Sequence, residues 1–509
     1  MKRIILIISL LYAMPVGIYA QDSLDSLIMN KELDEIVVTA QRKYTRPTTR
    51  GIKVSMSGNP LSKIGSATDA IMQMPLIDGS GGSISVLGKG TPVIYINGRK
   101  MMNSSELSNL KSDDLASVEI VTNPSAEYGS DVSSVILIKT KQPLAGLYVS
   151  GKGSITASEE WSESTSVNIQ YHNDNGLTVF GDFSYSWDGF KQKRHYSESF
   201  KENPDSDKSF TTLSDESAKR RGQSLTTDGG INYDFGKNSI GMKYIFSRTP
   251  RSKFISKGYT LSNATCISDI TSSTAFSTQS FDHYINTFGD FSIPMDMKLR
   301  VDLDYLSGKT ATRWNATEKE TDKAITNHNK STHDYIGAKL KIDKNFNNIE
   351  IEAGVEYAHT VNNQDFTSAG GSEEFLKPAT DKVSQNLWAY FLSFDYDITP
   401  MWNIYGGLRY EATDSRYVQN GIYESNLSQK YNDFLPNLGV QFKSPVNITM
   451  YYRAKVSRPS YSLLENNYAY VTPTFSETGN PELPIFVPKM QSGAYIITTP
   501  KSMQISEPT

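Results

Sequence analysis

Thr91-Pro92-Val93-Ile94-Tyr95-Ile96-Asn97-Gly98-Arg99 reads as a short strand closed by an Asn-Gly turn, and the reading of the whole chain works outward from it. Upstream, Ala67-Thr68-Asp69-Ala70-Ile71-Met72-Gln73-Met74-Pro75 predicts a short helix that proline stops, followed by a turn over Gly79 to Gly82. Downstream the scheme repeats. Leu110 to Leu115 predicts a turn of helix and Ser117 to Thr122 a strand. Asn123-Pro124-Ser125-Ala126-Glu127-Tyr128-Gly129 is a break, and Val135 to Lys139 a last strand. Ser66 to Lys141 is therefore expected to be a small α+β unit.

From Leu144 onward the hydrophobic period becomes two. Leu177, Val179, Gly181, Phe183, Tyr185 and Trp187 alternate with polar residues, as do Leu299, Val301, Leu303 and Tyr305. Ile336, Ala338, Leu340 and Ile342 are followed by Ile349, Ile351, Ala353, Val355 and Tyr357, with Lys339, Lys341, Glu350, Glu352 and Glu356 between them. Trp388 to Tyr396 and Trp402 to Tyr410 continue the pattern. Such alternation puts apolar side chains on one face of a sheet and charges on the other.

The connections alternate too. Asn173 to Gly176, Gly236 to Asn238, Asn345 to Asn348 and Asp397 to Pro400 are short turns. Lys191 to Arg221, Arg251 to Thr278, Ser307 to Lys330, Thr360 to Lys382 and Asp414 to Gln429 are expected to be long polar loops. Short turns at one end and long loops at the other mark an antiparallel barrel that crosses an outer membrane, with the polar face lining the lumen.

Composition fits that picture. In 509 residues there are 29 Tyr and 21 Phe beside a hydrophobic fraction of 38%, which favours many half-buried strands over one large core. A net charge of −4 gives no footing for nucleic-acid binding. The single cysteine, Cys266, excludes an internal disulfide or a cysteine-based metal cluster. Lys2 and Arg3, the apolar run Ile4 to Leu11, and Ile18-Tyr19-Ala20 read as a cleaved signal peptide ending at Ala20. Export is expected, after which the chain either stays soluble or enters a membrane as a β-barrel; the alternation and loop pattern favour the outer membrane of a Gram-negative-type bacterium.

The 66–141 unit resembles the plug domain of TonB-dependent outer-membrane receptors. The resemblance rests on Asp69-Ala70-Ile71 to Pro75, on Ile94 to Arg99, on Val118 to Gly129, and on Ile136-Leu137-Ile138-Lys139-Thr140-Lys141. It marks Asp69, Pro75, Asn97, Gly98, Arg99, Glu119, Pro124, Ala126, Tyr128 and Gly129 as plug-motif residues. Leu33 to Ala40 is a β-prone run upstream of the folded part, which reads either as a first plug strand or as a segment that pairs with a partner. By the resemblance, Glu35-Ile36-Val37-Val38-Thr39 is the candidate TonB box, adding as a strand to a TonB-type periplasmic energy-coupling protein.

What the resemblance implies is a mainly β fold with a small α+β plug followed by an antiparallel transmembrane β-barrel. The expected boundaries are 1–20 signal peptide, 21–63 leader and basic linker, 64–143 plug, 144–483 barrel, and 484–509 a Pro-spaced tail. A plugged barrel of this kind has about 22 strands, whereas roughly 16–17 can be placed here. The expectation is an incomplete barrel, truncated at its C-terminal side.

The implied function is import of a small-molecule, peptide or glycan ligand, bound on external loops and plug and released by energy-coupled displacement of the plug. Outer-membrane lipid is the other expected partner. Two alternatives stand beside it, a non-transporting binding or sensor protein and a secreted β-rich glycan hydrolase. No enzyme activity, cofactor or metal is expected. His172, His195, His283, His328, His333 and His359 are scattered without ligand spacing, Gly88-Lys89-Gly90 lacks the rest of a phosphate loop, and no nucleophile stands beside a base.

Overall fold

The computed structural model describes residues 44–498 except 81–82, 143, 202–208, 263–269, 320–321, 371–377, 444–445, 458–463, 465–467, 473–474, 481 and 483–485. The signal peptide and the candidate TonB box, Glu35 to Thr39, lie outside the described residues.

The first unit contains β1 (Thr45–Thr48), β2 (Gly51–Ser55), α1 (Ala67–Met72), β3 (Ile77–Asp78), β4 (Ser85–Val86), β5 (Val93–Ile96), β6 (Arg99–Lys100), α2 (Ser104–Ser108), β7 (Leu115–Val121) and β8 (Val135–Thr140). Six of the strands form one sheet in the order β1-β2-β7-β8-β5-β6, in which β5 and β8 run parallel. Ser66 caps α1 by accepting the Asp69 amide at 3.1 Å, and a proline follows the helix within three residues of its end. Helix and sheet close on a core of Met56, Ile71, Leu115, Val118, Ile120, Ile136 and Ile138.

One expectation for this unit is corrected. Thr45 to Ser55 lies within the stretch read as a basic linker, yet it is a hairpin whose second strand pairs with β7. Its charges conceal a period-two signal, because Ile52, Val54 and Met56 all point into the core. The turn of helix expected at Leu110 to Leu115 is present as a single 3-10 turn at Ser112–Asp114 that leads straight into β7, and a further short helix, α2 at Ser104–Ser108, precedes it.

The rest of the chain forms a wall. Its strands are β9 (Gly146–Ala157), β10 (Trp161–His172), β11 (Leu177–Lys201), β12 (Ser209–Phe235), β13 (Asn238–Ser262), β14 (Ile270–Ile293), β15 (Met297–Glu318), β16 (Lys323–Phe346) and β17 (Ile349–Ala369). They continue as β18 (Ala379–Asp397), β19 (Trp402–Gln419), β20 (Ile422–Tyr423), β21 (Gln429–Lys443) and β22 (Val446–Ser457), then a separate hairpin β23 (Tyr468–Thr472) with β24 (Phe475–Thr478), and β25 (Phe486–Thr498). All but β23 and β24 belong to a 15-stranded antiparallel sheet that runs from β9 to β22 in sequence order and ends on β25, with β20 hanging from β19. Among the described residues β9 pairs only with β10, and β25 only with β22.

Two more expectations change here. The long polar loops are largely strand: β15 and β16, for example, stay in register from Met297↔Lys344 out to Glu318↔Lys323. Beyond the apolar band a ladder needs only its backbone bonds, so the alternation that reveals a strand fades while the strand persists. The Pro-spaced tail from 484 onward likewise contains β25. Pro488 falls opposite the register shift between Lys455 and Ser457, where a missing N–H breaks no ladder bond.

The two faces of the wall differ. Val179, Ile231, Met242, Ile285, Leu303, Leu340, Trp388, Leu392, Leu408 and Leu438 are all exposed on one face, in register from strand to strand. The opposite face carries charges and meets the small unit. A continuous exposed apolar band on an otherwise polar protein is what a lipid-facing surface requires.

The plug and the inner face of the wall

The Asn97-Gly98 turn shows how local sequence places a side chain at this interface. Asn97 and Gly98 have φ of 51° and 83°, the left-handed pair that a tight β5–β6 hairpin demands. Asn97 accepts the Thr140 amide at 3.0 Å and donates to its hydroxyl at 2.8 Å, fastening the turn to the end of β8. A Cβ on Gly98 would lie 2.7 Å from the Arg300 guanidinium, so the glycine also lets the plug approach β15. Arg300 is itself held by Asp290 at 2.6 Å, and the next plug residue, Arg99, lays its guanidinium over the Phe288 ring.

The 123–134 break after β7 is the main point of attachment. Most of its residues are buried or half-buried, and they bond to three strands of the wall, β16, β19 and β22. Asn123 donates to the Tyr405 hydroxyl at 2.8 Å. Glu127 receives Lys339 and Lys341, at 3.2 and 3.1 Å, on its two carboxylate oxygens, and Lys339 also donates to the Glu127 carbonyl. Arg409 and Glu411, 2% and 1% exposed, pair with each other at 2.6 Å; Arg409 also reaches Glu356 at 3.0 Å and the Ala126 carbonyl. Ser130 donates to Glu411 at 2.9 Å, and Arg453 donates to the Val132 and Gly129 carbonyls at 2.7 and 3.4 Å.

Burial by itself would raise the Glu127 carboxyl, but the two ammonium groups outweigh it and hold the group down at about 2. The neighbouring phenols Tyr95 and Tyr128, whose rings meet edge-on at 5.4 Å, move up instead, first because they are buried and then because Glu127 is close.

A second, smaller attachment lies across the plug. Glu106 pairs with Lys243, Asn109 donates to Asp182 at 3.0 Å, and Asn103 donates to Ser247 at 3.1 Å. Between the two attachments are polar cavities of about 390 and 450 Å³, the first lined by Tyr95, Asp302, Lys339 and Glu356, the second by Arg99, Asp182 and Asp228.

Of the residues marked from the sequence, Asn97, Gly98, Arg99, Ala126, Tyr128 and Gly129 do stand at the wall. Glu119 lines a cavity of about 270 Å³ with Arg50, Glu350 and Glu352. Pro124 is buried in the 123–134 break. Asp69 and Pro75 belong to the cap and end of α1 and bring nothing to the wall. The motif does not mark Glu127, Ser130 or the basic residues Lys339, Lys341, Arg409 and Arg453 as site residues. The signal available was the run of charges on the polar face of β16 and β17, without any indication of what they meet.

Residues 295–487 match the outer membrane protein beta-barrel family. Among solved structures, the RagAB peptide importer in its "open-open" state is similar with a TM-score of 0.50 at 11% identity, over 88% of this chain and 64% of that one. The alcaligin outer-membrane receptor FauA of Bordetella pertussis gives a TM-score of 0.47 at 14% identity, over 89% and 67% of the two chains. The ferric yersiniabactin uptake receptor FyuA of Yersinia pestis gives 0.46 at 14%, over 89% and 69%. The chain thus spans about two thirds of the length of each. No curated protein matches it in sequence. In fold, an α+β unit against the inner face of an antiparallel β wall, the chain is similar to that importer structure.

Proposed function

We propose that this plug-and-wall chain is an outer-membrane receptor of the TonB-dependent kind, in which a ligand enters from the side of the long hairpins and the plug must move for it to pass. The observation that carries the reading is the attachment of the 123–134 break. A buried carboxylate gripped by two lysines from β16, with backbone carbonyls held by β19 and β22, fixes the plug to the wall by polar contacts. Polar contacts of that type can exchange with water, whereas an apolar seam would not let go without a large loss of burial. The reaction is mechanical and uses no covalent step.

In this reading Glu35 to Thr39 is the segment that a TonB-type protein grips by strand addition, and the force enters the plug through β1. The test uses a Val37→Cys, Cys266→Ser chain expressed in a Gram-negative host whose coupling protein carries cysteines at its strand-pairing edge. Disulfide capture of the pair in the cell envelope, lost when residues 35–39 are deleted, is the expected result. Absence of capture, with the chain folded in the outer membrane, would remove energy coupling from the proposal. Recovery of the chain as a soluble periplasmic monomer would remove the receptor reading altogether.

A further inference from the structure

Just beyond the apolar band, towards the long hairpins, the outward face of β13–β16 changes character within two residues along each strand. Strand register places Tyr244, Ile285, Tyr305 and Ile336 in one outward row, Phe246 and His283 in the next, and Arg248, Phe281 and Lys309 in the row above. The rows beyond bring Lys330, then Lys253 and Arg313. The His283 ring lies 5.1 Å from Phe246, 5.9 Å from Phe281 and 6.1 Å from Tyr244, whose hydroxyl meets Nδ1 at 2.7 Å. An aromatic cluster is therefore crowned by five exposed bases, Arg248, Lys253, Lys309, Arg313 and Lys330.

Several outward bases elsewhere on the wall are paired with acids. Lys191 is held by Glu159, Lys219 and Arg221 by Glu160, and Lys430 by Asp414. No ion pair involves any of the five among the described residues. The acids on the same face, Asp334 and Asp365, both lie at its β16–β17 flank. With rows about 7 Å apart and strands about 5 Å apart, the bases cover a patch on the order of 15 Å across.

We propose that this face is a binding surface for lipid headgroups bearing more than one phosphate, with the acyl chains lying along the Tyr244–Tyr305 row and the phosphates among Arg248, Lys309 and Arg313. The inference rests on the reading that the wall crosses the outer membrane. Its physical basis is charge complementarity at one fixed depth: aromatic rings settle at the headgroup level, and bases immediately above them meet phosphates rather than bulk water.

The test titrates the full chain, in nonionic detergent, with bisphosphorylated lipid A and counts bound lipid by native mass spectrometry. An Arg248→Gln, Lys309→Gln, Arg313→Gln chain is expected to bind tenfold to a hundredfold more weakly. A Lys382→Gln, Arg416→Gln, Lys430→Gln chain, with as many charges removed from β18–β21, should bind like the unaltered protein, and so should Arg248→Lys, Arg313→Lys. Heat-modifiable migration reports that each chain is folded. Equal weakening by both triple substitutions would reduce the effect to net charge and overturn the proposal, as would unchanged binding in the first. Displacement of the lipid by equimolar inorganic pyrophosphate would overturn the claim that a lipid is the ligand. If even the unaltered chain shows no heat-modifiable migration in lipid, the barrel reading fails and the inference falls with it; a folded barrel with unaltered lipid binding in the first triple variant sinks the inference alone.

Discussion

Glu127 is the residue on which the attachment of the plug turns, and its titration gives the interface a definite pH dependence. A carboxyl held at about 2 in the folded chain lies below its ordinary value of about 4.3. Its contribution to stability is therefore complete above pH ~4.3 and is lost as pH falls through the folded value. The depression corresponds to about 3 kcal/mol as an upper figure, in the range expected when one partner of a buried ion pair is removed. Glu127→Gln should thus weaken plug attachment by about 2–3 kcal/mol at neutral pH, and the difference from the unaltered chain should vanish near pH 2. Hydrogen exchange of the 123–134 amides across that pH range measures it. A difference that persists unchanged at pH 2 would show that the ion pairs with Lys339 and Lys341 are not what Glu127 contributes.

At the scale of elements, the order of the plug sheet decides how it comes apart. Among the described residues β1 is its edge, paired only with β2 through four residue pairs, and β2 is paired with β7 through five. Gly51 begins β2 at a point where a Cβ would run into the Ile120 carbonyl, so any side chain there collides with backbone. Gly51→Val is expected to detach the β1–β2 hairpin while leaving α1 and β5–β8 folded. Limited proteolysis should then cut between residues 44 and 58 and stop there; protection of that stretch would mean the hairpin is held by the wall, through contacts such as Gln441 to the Thr48 carbonyl, and not by β7. The same hairpin shows where sequence reading succeeds and fails. Asn97-Gly98 and the proline stop of α1 are legible because their chemistry is local, a turn or a helix end within four residues. Ile52, Val54 and Met56 are three apolar positions among Lys53, Arg46 and Arg50, too short a run to outweigh the basic composition. The grip of Lys339 on Glu127 spans 212 positions, so no pattern near either residue reveals it. Only the polar face was legible, and not its partner.

For the whole molecule, the decisive asymmetry is that most of the exposed large apolar side chains of the wall strands lie on the outer face, in a band bounded by aromatics and, on one side, by bases. In water such a surface would be a liability that any polar substitution relieves. In lipid the sign reverses. Leu340 is 45% exposed in the middle of the band on β16, and Asn315 is exposed on the same outward face of β15 far beyond it. An arginine at the bilayer midplane of a transmembrane strand costs about 2–4 kcal/mol and close to nothing outside the interface. Leu340→Arg should therefore lower the stability of the chain folded into phospholipid vesicles by about that amount, while Asn315→Arg leaves it within about 0.5 kcal/mol. Urea titration followed by tryptophan fluorescence reads both. The two placements differ only in depth on one face, so the comparison isolates lipid contact from packing. A Leu340→Arg chain as stable as its parent would mean that the outer band faces water or another protein, and the receptor reading would lose its membrane.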